Sequence, residues 1–364
     1  MAEDIDVVYT WVDGSDPAFQ AAVRQYATAA SGEWNSCRYR NNDELRYSMR
    51  SLFRYAPWVR RIHILTNGQL PSWLVRSHPK IHLVTHGEVF PEPEYLPTFN
   101  SNAIEMCLHR IPGISRRFLY FNDDTFLSRS VQPSDFFLEE GQMLYVQNTP
   151  LPAGRLRGSA RDRACAHTQS VLTELWGPPP APRFLPAHVP QAYDRDVLYR
   201  LESTLRDDFQ RTASHRFRSG DDLVLSVLYL YTLHEAAGER GRHRLRVLCG
   251  PGPSRQYSLL MIEKKYFWMA RFYLDILWKR PRFLCINDDL DDVPAHHPLL
   301  LGLRAFLRLY FPWRGPVEQS AGGAYRRLLQ AISNRFHFPF GLRKRTAPLP
   351  CASAADPITG PSKL

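Results

Sequence analysis

The sequence of 364 residues lacks several features that would identify its class at once. It has no apolar run near the roughly 20 residues that a helix needs to cross a bilayer. Strand-like sequence starts almost at Met1, so there is no room for a signal peptide. The six cysteines form no Cys-x-x-Cys pair, which favours reduced thiols over a zinc site or a disulfide framework. These absences predict a cytoplasmic protein without a membrane span.

The usual nucleotide and nucleic-acid signatures are missing as well. There is no GxGxxG or GxxxxGK[ST] motif, and no zinc finger, helix-turn-helix or RNA-binding pattern. Lysine is scarce, whereas arginine is abundant and the net charge is +10. Because arginine binds phosphate in bidentate fashion, this charge fits a nucleotide, an anionic polymer, nucleic acid or an acidic membrane surface. Nucleic acid is not the predicted partner, because no motif supports it.

The first third of the chain alternates between strand-like and helical patterns. Residues 5–12, 61–66, 81–85 and 117–121 are rich in β-branched and aromatic residues, which is typical of strands. Amphipathic segments lie between them, one of them over residues 44–55. The alternation predicts an α/β fold with a mainly parallel sheet flanked by helices.

Polar side chains follow several of these strands at the point where each strand ends. In parallel sheets ligands bind at the carboxyl ends of the strands, so the convergence indicates a site. Neighbouring side chains on an extended chain point in different directions, and hard cations such as Mg²⁺ prefer oxygen ligands that they share with substrate phosphates. The alternative is a set of turn residues that end strands. The residues are Asp13, Asn67, Gln69, Asn122, Asp123 and Asp124.

The composition of the sequence changes near residues 142–190, where an insert rich in arginine and proline is predicted. Prolines on both sides hold His188 in a rigid, non-helical segment, as either a functional or a structural histidine. Further on, a helix is predicted over 223–233, with Asp221 or Asp222 as its N-cap. The arginines of the insert are Arg155, Arg157, Arg161 and Arg163.

The last third predicts a helical subdomain. Helices are expected over 261–279 and 298–311, and residues 282–289 nearly repeat residues 117–124. The basic segment 326–345 fits either a peripheral contact with the inner membrane or a solvated, half-packed helix. We therefore predict a catalytic core at 1–250, a helical subdomain at 251–345 and a disordered tail at 346–364. The terminal Ser-Lys-Leu matches a peroxisomal address, which we treat as chance.

Four stretches together resemble one known family. They are IDVVYTWVDGSDP at 5–17, a segment from NDELRYS to NGQLPSWL at 42–74, a segment from LPTFNS to NDD at 96–124, and PRFLCINDD at 281–289. They resemble the Stealth proteins, which include bacterial capsule sugar-phosphate transferases and the catalytic subunit of the lysosomal N-acetylglucosamine-1-phosphotransferase. The resemblance covers about residues 4–311.

The resemblance implies a GT-A-like α/β core, a UDP-sugar donor such as UDP-N-acetylglucosamine, and Mg²⁺ or Mn²⁺. It implies transfer of a hexose-1-phosphate to a sugar hydroxyl of a glycan or glycoprotein, with release of UMP. Two alternatives stay open at this point. One is a GT-A glycosyltransferase that releases UDP, and the other is a non-catalytic module that binds polyanions.

The same resemblance, taken with the strand-end pattern, assigns roles to individual residues. Asp123 and Asp124 would hold the metal, Arg46 would offset phosphate charge, and His188 would be the general base, a task suited to a ring that titrates near neutral pH. Catalytic roles therefore fall to His188, Asp124 and Arg46. The donor-binding residues would be Asp13, Gly14, Asn42, Glu44, Asn67, Gln69, Asn122, Arg161 and Arg163.

Overall fold

The computed structural model describes residues 3–27, 36–152, 158–179, 181–236, 242–248, 254–264, 266–291 and 293–319. The predictions for segments 326–345 and 346–364, and for Arg155 and Arg157, lie outside these residues. Residues 1–318 form one compact unit, to which every element below belongs. The predicted boundary near residue 250 stays a prediction.

The elements follow one another in the predicted alternation of strands and helices. The strands are β1 Ile5–Thr10, β2 Ile62–Thr66, β3 Ile81–Thr85, β4 Arg117–Asn122, β5 Thr125–Leu127, β6 Phe137–Leu138, β7 Gly141–Pro150, β8 Phe184–Pro186, β9 Gln191–Asp194, β10 Arg244–Val247, β11 Tyr257–Ile262 and β12 Phe283–Asp288. The helices are α1 Pro17–Tyr26, α2 Glu44–Tyr55, α3 His86–Val89, α4 Ser101–Glu105, α5 Ala160–Trp176, α6 Arg195–Thr204, α7 Arg206–Ser214, α8 Leu225–Glu235, α9 Tyr266–Lys279 and α10 Pro298–Tyr310.

The central sheet has the strand order β3-β2-β1-β4-β9, in which the first four strands are parallel and β9 is antiparallel to β4. Its two faces are both covered, because Val7 and Tyr9 of β1 enter one hydrophobic cluster and Val8 enters another. Burial on both faces is why these strands read as continuous apolar runs in the sequence. The predicted α/β class, with a mainly parallel sheet flanked by helices, is confirmed.

The strand order places a crevice between β1 and β4. β2 and β3 lie on one side of β1, while β4 lies on the other, so the order reverses at this point. Thr10 at the end of β1 is paired with Asn122 at the end of β4. In open α/β sheets ligands bind at such a reversal, outside the carboxyl ends of the strands. The loops that follow β1 and β4 therefore border the same crevice.

The last third contributes strands as well as helices. β11 and β12 are parallel, and β12 is also antiparallel to β5, which follows β4 directly. The helix predicted over 261–279 is wrong at its start, because the chain is still extended in β11 to Ile262 and α9 begins at Tyr266. This small sheet attaches the end of β12 to Asp123 and Asp124, the pair of carboxylates after β4 that is called the acidic motif below.

Four smaller results complete the comparison with expectation. The predicted insert near 142–190 contains most of β7, all of α5 and β8. The N-cap of α8 is Val224, so the prediction of an acid cap at Asp221 or Asp222 is wrong. Cys37, Cys107, Cys165 and Cys285 are free and buried. Within the described ranges no helix is long and apolar enough to cross a bilayer.

Candidate functional site

The loops after β1 and β2 are tied together. The backbone N–H of Asp13 donates to Oε1 of Gln69 at 2.8 Å, and Nε2 of Gln69 donates to the Asp13 carbonyl at 3.2 Å and to Asp16 at 2.9 Å. The N–H of Gly14 donates to the Tyr39 carbonyl at 2.7 Å, and a Cβ at Gly14 would lie 2.3 Å from that oxygen. The predicted residues Asp13, Gly14 and Gln69 thus form one rigid rim of the crevice.

The two carboxyl groups of the acidic motif lie in surroundings that disfavour their charged forms. Burial, followed by the charges of Glu44 and Asp124, holds the pKa of Asp123 well above its usual value. Burial also raises the pKa of Asp124, although Asn287 donates to its Oδ2 at 3.0 Å. A cation at these carboxylates would relieve the electrostatic cost that both shifts record.

A second group of polar residues lies beside Asp123. The buried Asn42 donates from its backbone N–H to Glu44 at 2.6 Å, and from Nδ2 to Glu44 at 2.8 Å and to Asp288 at 3.2 Å. Arg40 donates to the same Asp288 oxygen at 2.6 Å. Burial, with a smaller contribution from the charge of Asp288, raises the pKa of Glu44 to about 7. The structure therefore places Glu44, with Asn42 bonded to it, near Asp123, while the donor-binding role of both residues stays a prediction.

The acidic motif is chemically suited to a metal that shares its ligands with substrate. Among the described residues no group of three or more His, Cys, Asp or Glu side chains forms a metal cluster. Mg²⁺ needs no such cluster, because it is commonly held by one or two carboxylates together with water and substrate phosphates. Asp123 and Asp124, with their raised pKa values, fit this kind of binding.

His188 is connected to Asp124 through Tyr257, whose pKa is raised by burial and then by the charges of Cys285 and Asp124. Its backbone N–H donates to the Tyr257 hydroxyl at 3.2 Å, and its Nε2 is 3.5 Å from Nη2 of Arg161. Burial and then the charge of Arg161 lower the pKa of His188 to about 4. The expectation that this ring titrates near neutral pH is therefore wrong for the free protein. Its imidazole is neutral at pH 7 and can accept a proton.

Three arginines, Arg38, Arg161 and Arg218, form a group of neighbouring charges, and Arg161 lies beside His188. Sequence analysis predicted only Arg161. Burial, then the charges of Arg38 and Arg161, lower the pKa of Arg218, whose Nη2 donates to Ser101 at 2.7 Å. None of the three forms an ion pair within the part of the chain that the structure describes. Glu105 faces this group, and burial raises its pKa to about 7 against the opposing charges of Arg218 and Arg161. Such a cluster provides a site for an anion.

Four predicted residues are bonded to groups outside the acidic motif. Arg46 donates from Nε to Glu318 at 2.6 Å, and Arg163 donates to the Gly158 carbonyl at 2.7 Å. Asn67 accepts from the backbone of Gln69, and Asn122 accepts from the Tyr120 hydroxyl. The roles predicted for Arg46, Arg163, Asn67 and Asn122 stay predictions, without a contact to the acidic motif.

Sequence reasoning missed Asn287, Asp288 and Arg218. The near-repeat of the acidic motif at 282–289 was a signal for the first two, since a second apolar strand there also ends in Asn-Asp-Asp. The only signal near Arg218 was the adjacent Ser-Gly-Asp-Asp sequence, which is typical of the start of a helix. In the structure Asp222 instead accepts from Asn100 at 2.9 Å and Asn102 at 3.0 Å. These contacts anchor the Arg218 loop to α4.

Comparison with known proteins agrees with this geometry. Three family models match: Stealth protein CR1, conserved region 1, at residues 3–29; CR2, conserved region 2, at 38–145; and CR3, conserved region 3, at 187–234. Together they take in about half of the chain. The third of the four stretches that resemble the family, at 96–124, lies inside the match to conserved region 2. Conserved region 3 begins at the His188 segment.

Curated relatives carry consistent names. An exopolysaccharide phosphotransferase of Streptomyces coelicolor is 38% identical over 329 residues, which are 87% of this chain and 52% of that protein. The exopolysaccharide phosphotransferase CpsY of Mycobacterium tuberculosis is 33% identical over 334 residues, 89% of this chain and 60% of that protein. The chain thus spans about half the length of the curated relatives it matches.

Among solved structures, the galactosyltransferase LgtC in complex with donor and acceptor sugar analogs matches 88% of this chain and 99% of its own. Its TM-score is 0.41 at 12% identity, which is too low to carry an argument. The assignment therefore rests on the conserved regions, which contain the acidic motif and the His188 segment. On these grounds the chain belongs to the Stealth family.

Proposed function

We propose that this chain is a divalent-metal-dependent transferase that moves a hexose-1-phosphate from a UDP-sugar to a sugar hydroxyl. The donor sugar would be an N-acetylhexosamine and the acceptor a glycan or glycoprotein. The acceptor oxygen attacks the phosphorus next to the sugar, and the bond from that phosphorus to the oxygen of UMP breaks. The products are a phosphodiester and UMP. The names of the curated relatives support a phosphotransferase, although those proteins are longer than this chain.

The observation that carries the proposal is the division of charge across the crevice. Besides burial, the charge of Asp124 contributes to the raised pKa of Tyr257, whose hydroxyl also accepts from the backbone N–H of His188. Nη2 of Arg161 lies 3.5 Å from Nε2 of His188, and the charge of Arg161 acts on the neighbouring Arg218. A diphosphate that is bound to a cation complements both groups, because its metal meets the carboxylates while its free oxygens meet the arginines. Phosphoryl transfer depends largely on such positioning and charge neutralisation.

Asp123 and Asp124 would hold Mg²⁺ or Mn²⁺, which supplies charge neutralisation at the donor diphosphate. Asn287 keeps the Asp124 carboxylate oriented through its hydrogen bond of 3.0 Å. The rim formed by Asp13, Gly14 and Gln69 would hold the nucleotide side of the donor. These roles require only the residues already gathered after β1, β2 and β4 and at the end of β12.

His188 would take the proton of the attacking hydroxyl. The ring is neutral at pH 7 because its pKa is lowered to about 4, so its lone pair is available. A bound phosphate would offset the charge of Arg161 and make the ring a stronger base. Arg161 and Arg218 would then stabilise charge on the equatorial phosphoryl oxygens.

The test is to incubate the protein with UDP-sugars, Mg²⁺ or Mn²⁺ and sugar acceptors, and to identify both products by mass spectrometry. UMP together with a phosphorus-containing product supports the proposal. UDP together with a product free of phosphorus would show a glycosyltransferase instead. Salt-sensitive binding of polyanions without any turnover would show a non-catalytic binding module.

A further inference from the structure

A cavity of about 400 Å³ lies between β11 and the first turns of α9. On the strand side, residues 261 and 263 share one face because side chains alternate along an extended chain. On the helix side, residues 268 and 272 are one turn apart and so share a face. The cavity has a size typical of small-ligand sites. It is lined by Leu260, Met261, Glu263, Trp268, Met269 and Phe272.

The cavity adjoins the acidic motif through the small sheet. Ile262, between the cavity residues of β11, is paired with Asp288 of β12, and its carbonyl accepts from the backbone of Asp289 at 3.3 Å. The neighbouring Asn287 is bonded to Asp124 at 3.0 Å. Because β5, β12 and β11 lie side by side, the cavity begins two strand spacings, about 10 Å, from Asp124.

The chemistry of the lining is amphipathic. Trp268 is 61% exposed, which leaves a large indole surface open to solvent at the cavity mouth. Glu263 provides a carboxylate at the same place, and its charge contributes to the raised pKa of the nearby Asp289, after burial and Asp291. The charge of Arg38, a member of the arginine cluster, opposes this shift, but the pKa of Asp289 is still raised on balance. The acidic surroundings disfavour an anionic ligand, whether a donor diphosphate or an acidic lipid headgroup.

We propose that this cavity is the binding subsite for the acceptor sugar, with a pyranose ring stacked on Trp268 and its hydroxyls bonded to Glu263. A pyranose is uncharged, presents apolar C–H groups on its faces and carries hydroxyl donors at its rim. An aromatic surface beside a carboxylate complements each of these features. The inference rests on the proposed function in naming the bound sugar as the acceptor, whereas the binding itself does not depend on turnover.

The test measures binding without donor, by saturation-transfer NMR of the full chain with maltotriose and with chitotriose. Trp268→Ala and Glu263→Gln should each weaken binding about five- to tenfold, the range expected from loss of one aromatic contact or one charged acceptor. Trp278→Ala is the matched control, because this indole is 87% exposed on the same helix and lies about 15 Å further along it. It should bind both trisaccharides as the unmodified chain does.

Three results would overturn the proposal. The first is binding of neither trisaccharide by the unmodified chain at about 10 mM, far weaker than ordinary substrate affinities. The second is equal binding by Trp268→Ala and the unmodified chain. The third is a chain that binds no sugar but cosediments with phosphatidylglycerol vesicles, and that loses this cosedimentation in Trp268→Ala. This result would assign the surface to a membrane.

A parallel assay separates this inference from the proposed function. Release of UMP from UDP-sugar in the absence of acceptor should be the same in Trp268→Ala and the unmodified chain, because Trp268 lies outside the donor site. If the unmodified chain binds trisaccharide through Trp268 but releases no UMP under any condition, the donor assignment fails while the sugar subsite stands.

Discussion

Glu318 is the residue whose removal should have the clearest effect on stability. Its side chain is almost fully buried and accepts from Arg50 at 2.6 and 2.8 Å, from Arg46 at 2.6 Å and from the backbone of Gly315 at 2.7 Å. Burial raises its pKa, but the hydrogen bonds from Arg50, Gly315 and Arg46 outweigh this and lower it to about 2 from the ordinary 4.5. Glu318→Gln keeps the shape of the side chain and removes its charge.

The size of the effect follows from this pKa. A carboxylate with a folded-state value of about 2 and an unfolded value of 4.5 contributes about 3 kcal/mol at neutral pH. This agrees with the roughly 3–5 kcal/mol lost when one partner of a buried ion pair is removed. Because the folded-state pKa is lowered, the contribution is complete above the unfolded value. It is lost progressively as the pH falls through 4.5 towards 2.

The assay is urea unfolding of Glu318→Gln and the unmodified chain, followed by circular dichroism between pH 7 and pH 3.5. The two free energies of unfolding should differ by about 3 kcal/mol at pH 7, and by about 1.4 kcal/mol less at pH 3.5. Asp207→Asn, an exposed change, is the control and should leave the free energy of unfolding unchanged. A difference below about 1 kcal/mol at pH 7, or one that does not vary with pH, would refute the reasoning.

Four further predictions concern activity. Asp124→Asn should fold but lower turnover at least about 100-fold, the usual cost of losing a charge-stabilising group; near-normal turnover would remove its assignment to the metal. His188→Ala should bind UDP-sugar and lose most turnover. Arg161→Gln should move the acid limb of the pH–rate profile to higher pH, because the Arg161 charge helps to lower the His188 pKa to about 4. An unmoved limb would contradict this. Gly14→Ala should raise the donor KM about tenfold or more, since its Cβ would meet the Tyr39 carbonyl at 2.3 Å, whereas Gly87→Ala, with its nearest neighbour at 3.9 Å, should not.

The first half of the fold follows closely from local sequence. Each strand of the central sheet is an apolar run that stops at polar residues, and the parallel order brings those stops to one edge. The contact between Asp13 and Gln69 is therefore predictable in kind from the pattern alone. The predictions for Asp123, Asp124, Asn42 and Glu44 benefit from the same geometry.

The remaining features depend on partners that are distant in sequence. Arg46 looked free to meet a phosphate, but Glu318 pairs with it from 272 positions away. Asp222 has the sequence context of a helix cap, yet it is a buried acceptor for two asparagines of another segment. Periodicity and capping rules describe the neighbours of a residue within a turn or two of chain. They contain no information about which distant side chain occupies the space beyond.

The antiparallel pairing of β5 with β12 has a consequence for how the protein acquires its chemistry. Asp124 and Asn287 are hydrogen-bonded across 163 positions, and the charge of Asp288 helps to raise the pKa of Glu44 across a longer separation still. A ribosome-bound chain that has emerged only through β5 already contains Asp123 and Asp124, but it lacks β12, the strand that carries Asn287. Contacts of such long sequence separation form late, because the intervening chain must first be closed into a loop. Synthesis therefore has to pass β12 before Asn287 can hold the Asp124 carboxylate in place.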